Sequence, residues 1–229
     1  METTGKKSRL LGLAFLIQFI TSIMFGVIVL PIATGIQPFG VPENMGQIMA
    51  TIARNAGLIQ LNILMELVTA AGVIFLGAML YSTVRKENEG LALTAFGLYV
   101  LEGALLAIKT LALFALLVFS RQFIAEGSPT SMEPTAGMIN EIESYSSKML
   151  NFVFCLGGTI FYALLFKART VAWPLSLWGL VSVQGVLAAV VLGLFGVEAP
   201  IFLVVLYIPF ELAIAVWILI KGVKTETAN

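Results

Sequence analysis

The chain has 229 residues, 59% of them hydrophobic and only 11% charged, and its 13 basic and 13 acidic residues cancel. A soluble domain of this length would not carry that balance, and without a basic excess nucleic acid is not an expected partner. There is no His, every acidic residue is Glu, and Cys155 is the single cysteine. These absences remove His-ligated haem or zinc, Ser-His-Asp catalysis, the HExxH motif, Asp-rich diphosphate–magnesium motifs and an internal disulfide. No metal and no cofactor is expected.

Charged residues divide the sequence into six apolar segments, at about 10–33, 58–83, 91–119, 148–167, 174–196 and 200–222. Each is close to or longer than the ~20 residues that cross ~30 Å of hydrocarbon at 1.5 Å per residue. The expected fold is therefore all-α, a polytopic bundle of six transmembrane helices forming one domain over 1–229. The first segment has no convincing cleavage site after a short apolar core, so it reads as a retained helix rather than a signal peptide. The second and third segments are joined by Arg85-Lys86-Glu87-Asn88-Glu89-Gly90, a charged turn suited to a tight connection. Pro174 and Pro200 suit the openings of the fifth and sixth.

Positive residues orient the bundle, because Lys and Arg are retained on the cytoplasmic side. Lys6, Lys7, Arg9, Arg85, Lys86, Lys167, Arg169, Lys221 and Lys224 fall on one side and only Arg54, Arg121 and Lys148 on the other, so both termini are expected in the cytoplasm. The chain then belongs in a plasma membrane or bacterial inner membrane, with membrane lipids as partners. Two longer loops fall on the outer side. Residues 34–57 open with Thr-Gly-Ile-Gln-Pro-Phe-Gly and place Met45, Ile48, Met49 and Ile52 at helical spacing, the pattern of a short amphipathic helix that hugs the membrane or covers a cavity. Residues 120–147 carry Gly127-Ser128-Pro129 and Glu133-Pro134, both expected to break helix, and then Met138, Ile139, Ile142 and Tyr145 at amphipathic spacing leading into the fourth crossing. Their acids Glu126, Glu133, Glu141 and Glu143 read as a solvated face.

Four ionisable residues lie inside apolar segments: Glu66, Glu102, Lys109 and Glu211. A charge at mid-membrane costs a few kcal/mol, so each must face the bundle interior, be neutralised or be paired, and together they form the candidate polar pocket. Counting from the segment ends puts Glu66 about 12 Å deep and Lys109 about 15 Å deep at 1.5 Å per residue, depths at which they could pair. Gln184 lies as deep as Glu211, and Asn62, Tyr99 and Tyr207 sit one turn before Glu66, Glu102 and Glu211. Three carboxylates and one ammonium cannot all ionise in a low dielectric, so Glu102 or Glu211 is expected to hold its proton. Pro209, two residues before Glu211, permits a kink of the kind found around transporter sites. Against this stands a plain packing role for the buried charges, and the stripe Gly185-xxx-Ala189-xxx-Gly193 reads as helix packing.

The chain resembles the domain of unknown function 4386 family of microbial integral membrane proteins. The likeness is carried in order by Arg9-Leu-Leu-Gly-Leu, Leu80-Tyr81, Leu91-Ala-Leu, Glu102, Trp178-Gly179, Glu211-Leu, Trp217 and Lys221-Gly222. The sequence departs from that pattern at Tyr99, where the family often has Arg, and at Lys109. The resemblance implies the six-helix layout and no activity. Three functions stay open: a pocket that binds or moves a small or lipophilic ligand, with proton coupling through Glu211; a membrane-embedded enzyme using Glu as an acid on a lipid or isoprenoid; and a structural or assembly subunit.

Overall fold

In lipid every backbone amide must be bonded within its own segment, which leaves long apolar runs the helix as their solution. The computed structural model describes residues 2–36 and 44–223, with side chains from residue 8 onward, and among these residues there is no strand. Gln37, Pro38, Phe39 and Gly40 of the first long loop lie outside them, as do Lys224 and the side chains of Lys6 and Lys7.

The helices are α1 (Glu2–Thr21), a π-helical stretch (Ser22–Val29), α2 (Leu30–Thr34), α3 (Met45–Arg54), α4 (Ala56–Val84), α5 (Glu89–Ala125), α6 (Glu133–Ala168), α7 (Trp173–Leu194), α8 (Phe202–Val205) and α9 (Tyr207–Lys221). Among the described residues six helical stretches are long and apolar enough to cross a membrane, and the protein is a multi-pass integral membrane protein. Sequence chemistry sets most of the ends. Asn88 caps α5 by accepting from the Leu91 amide at 3.0 Å, and Pro174 occupies the first turn of α7, where its missing N–H costs nothing. After α5 the Ser128 amide reaches back to the Phe123 carbonyl and the Gly127 amide to Ile124. Gly127 has φ +80° and Ser128 φ +63°, so this is a helix end of two left-handed residues, of which the first, a glycine, carries no Cβ penalty.

Two crossings differ from the sequence expectation. The fourth crossing, expected over 148–167, is the second half of α6, which begins at Glu133 because Pro134 falls in a first turn, where proline is tolerated. Glu133-Pro134, expected to break helix, instead opens it, and the amphipathic segment is continuous with the crossing it leads into. Within that segment Ala136 and Ile139 turn toward the core, while Met138, Ile142 and Tyr145 are exposed. The sixth crossing is interrupted at Leu206, between α8 and α9. Pro209 has no N–H for the Val205 carbonyl, and the Trp178 indole instead donates to the neighbouring Leu206 carbonyl at 3.3 Å.

The helices sort into two compact units, neither continuous in sequence. The first comprises Met1–Phe19, Ala71–Gly103 and Lys148–Asn229. Its core is aromatic, with Phe15, Tyr99, Phe161, Tyr162 and Phe210 all buried. Glycines admit these rings: a Cβ on Gly179 would stand 2.3 Å from the Phe210 ring, and one on Gly157 2.9 Å from Tyr99. Gly185 lets α7 approach the Leu203 carbonyl, which a Cβ would meet at 2.6 Å, whereas a Cβ on Gly193 meets nothing within 4 Å. Of these two ends of the stripe, therefore, only Gly185 makes a close helix approach.

The second unit comprises Ile20–Ala70 and Ala104–Ser147. Helix α3 opens with an Asn44 side chain accepting from the Gln47 amide at 2.8 Å. Its face Ile48, Met49 and Ile52 is buried with Ile59, Leu113, Leu116 and Leu117. The apolar side of α3 is thus spent inside the protein rather than on lipid. Asn55, at the corner between α3 and α4, donates to the Ala33 carbonyl at 3.3 Å and ties that corner to the end of α2. The π-helical stretch has a local cause. Pro31 lacks an N–H and its ring crowds the carbonyl four residues back, so the preceding turns widen, and the Leu30 amide bonds Phe25 five residues away.

Candidate functional site

The intramembrane charges fall into two groups, one in each unit. In the second unit Glu66 of α4, Lys109 and Thr110 of α5 and Glu143 of α6 come together. The Lys109 ammonium bonds Glu66 Oε1 directly and stands 3.4 Å from Glu143 Oε1. The Thr110 hydroxyl lies 3.0 Å from Glu66 Oε2 and 2.8 Å from the Leu106 carbonyl, so its single proton has two acceptors in reach. Both carboxylate oxygens of Glu66 are therefore engaged, as a buried charge requires. Glu66 and Lys109 are 4% and 7% exposed, and the Glu143 side chain 18%. Glu143 is thus not part of a solvated acidic face, while Glu126 and Glu141 are exposed. Asn62, one turn from Glu66, is fully buried, and neither of its amide atoms has a hydrogen-bond partner among the described residues.

A cavity of about 320 Å³ opens against this cluster within the same unit. Lys109 and Glu143 give it a charged end; Leu30, Pro31, Leu113 and Leu116 give it apolar walls, and Asn140 and Thr34 add polar atoms. Gly26 lines it from the π-helical stretch, and a Cβ there would meet no atom within 4 Å. The widened turns before Pro31 and the missing side chain at Gly26 are what the sequence contributes to this space. A concave, mostly apolar volume with a few convergent polar groups is the usual form of a small-molecule site.

In the first unit Glu102 of α5 and Glu211 of α9 lie within electrostatic range of each other, with Tyr99, Tyr162 and Cys155 in the same neighbourhood. Glu102 is buried and its Oε2 has no hydrogen-bond partner; Glu211 is partly buried. Tyr207, one turn before Glu211, shares its hydroxyl with Tyr162 at 2.8 Å, and Tyr99 packs edge-on against Phe161. Gln184 is exposed on α7 and donates to the Thr159 hydroxyl at 2.6 Å, with no bond to either acid. Among the described residues no group of three or more potential metal ligands gathers.

Four participants escape a reading of the sequence: Glu143, Thr110, Tyr162 and Gly26. Glu143 is hidden because it sits in a segment with three other acids. Thr110 and Tyr162 are ordinary in apolar helices. Gly26 five residues before Pro31 was a signal, since that pair marks a place where helix geometry can open.

A family model described as a domain of unknown function, DUF4386, matches residues 10–222. No curated protein and no solved structure matches the chain.

Proposed function

The chain belongs to the DUF4386 family, and from that premise we propose that it is a small-ligand-binding protein of the plasma membrane or bacterial inner membrane, with both termini in the cytoplasm. The ligand occupies the cavity of the second unit, its polar end at Lys109 and Glu143 and its apolar part along α2 and α5. The observation that carries this reading is the ending of a mostly apolar 320 Å³ cavity on two ionisable side chains. A purely structural ion pair would be expected to close its own surroundings, because a void beside charged groups forfeits packing without supplying solvation. The test is native mass spectrometry of gently purified protein beside Gly26→Leu, which adds a side chain at the cavity wall where no atom stands within 4 Å. A stoichiometric small molecule held by wild type and lost by the variant is the expected result. Equal retention by both would remove the cavity from the function.

A second reading, proton movement through Glu102 and Glu211, is favoured by one separate observation. The helix carrying Glu211 is broken at Leu206, and a break of this kind exposes backbone beside an acid. In reconstituted vesicles Glu211→Gln would then abolish proton flux, and unchanged flux would end this reading.

A further inference from the structure

The charges around the cavity do not balance, and the imbalance selects a ligand. Lys109 and Glu66 both act electrostatically on Glu143. One ammonium is shared between two carboxylates. Lys109 is committed first to Glu66, by a direct bond that Thr110 supports on the other oxygen. Its approach to Glu143 is the longer one, 3.4 Å to one oxygen only. The negative charge left over therefore resides on the one acid of the three charges that lines the cavity. Glu143 shares its ammonium with Glu66 and is the less fully compensated of the two; an under-compensated charge in a low-dielectric wall is costly, and a cation placed beside it lowers that cost while the Glu66–Lys109 pair stays intact.

The rest of the cavity limits what the cation carries. Leu30, Pro31, Ile36, Leu113 and Leu116 line it with hydrocarbon. A volume of 320 Å³, at about 30 Å³ for a water-sized group, holds roughly ten non-hydrogen atoms. Resting on the small-ligand reading above, we propose that the cavity binds a compact amphiphilic cation, an alkylammonium whose head lies at Glu143 and whose chain of about eight carbons lies along α2 and α5. The ammonium can belong to a free amine or to the headgroup of an aminolipid.

The full-length protein in a non-ionic maltoside detergent is titrated with octylammonium, octanol and octanoate, three probes of equal chain length and different charge, and thermal stability is followed. Octylammonium is expected to bind wild type at least tenfold more tightly than the other two, and Glu143→Gln to abolish that preference. Preferential or equal binding of octanol or octanoate would overturn the cation assignment and leave the small-ligand reading standing. Binding by none of the three would overturn both. A cation preference that survives in Glu143→Gln would also overturn the assignment, since it would arise elsewhere. Wild type alone decides the first two outcomes, so a poorly folding variant does not protect the proposal. Added phosphatidylethanolamine that displaces octylammonium identifies an aminolipid source, and its failure to compete identifies a free amine.

Discussion

The two units solve the same problem, carboxylates among apolar helices, in different ways. In the second unit Glu66 has an ammonium on one oxygen and a hydroxyl on the other, and a cavity adjoins the cluster. In the first, Glu102 keeps an oxygen without a partner among the described residues, its electrostatic neighbour is another acid, and the surroundings are aromatic rings packed onto glycines. One ammonium shared by two carboxylates holds this cluster together, and the acid it serves less closely, Glu143, stands beside open space. Where no cation is supplied, close packing against rings is the remaining arrangement, and it leaves little room for anything else.

Replacing the ammonium should produce the largest effect. Lys109→Met leaves Glu66 and Glu143 facing each other without a cation and should cost about 3–5 kcal/mol, the usual penalty for breaking a buried pair from one side. The double variant Glu66→Gln, Lys109→Met should recover most of that loss. Unfolding of both variants in detergent would show it, and a single variant as stable as wild type would erase the distinction between the units. Next comes the packing of the first unit. Gly179→Ala drives a methyl to 2.3 Å from Phe210 and should cost about 1–3 kcal/mol, as overpacking of a filled core does. An unchanged melting temperature would mean that the ring has room to move. The smallest effect separates the two acids most sharply. Glu102→Gln should change stability by less than about 0.5 kcal/mol or raise it, because replacing an ionisable group that has no cation removes a potential buried charge. Glu66→Gln should instead destabilise by about 1–3 kcal/mol, through a weakened bond to Lys109. Similar losses for the two substitutions would count against the comparison.

What could be read from the sequence follows the range of the physics involved. The six crossings are legible because apolar length is a local property, and Asn88, Pro174 and Gly127 act within a turn or two of their own positions. Glu66 and Lys109 could be put at matching depths by counting residues, since rise per residue is fixed. Rotation about a helix axis could not be read in the same way. A lipid-exposed helix is apolar on every face, so periodicity does not say which side is inward, and Gln184 is exposed although its depth matches that of Glu211. The same loss affects α6, where Ile139 turns in and Ile142 turns out. Glu143 depended on tertiary structure alone: the turn at Gly127 and Ser128 returns α6 alongside α5 and brings an acid from an apparent loop to Lys109. The cavity has a local sign, Gly26 before Pro31, but its size is set by four helices together.

A crystal structure of the protein grown from a lipidic phase and extracted under mild conditions would test the central claim most directly. The account predicts non-protein density in the cavity of the second unit, with its polar end in contact with Glu143 and its length along Leu113 and Leu116. A cavity closed by collapse of α2 onto α5, with no density between the walls, would contradict it.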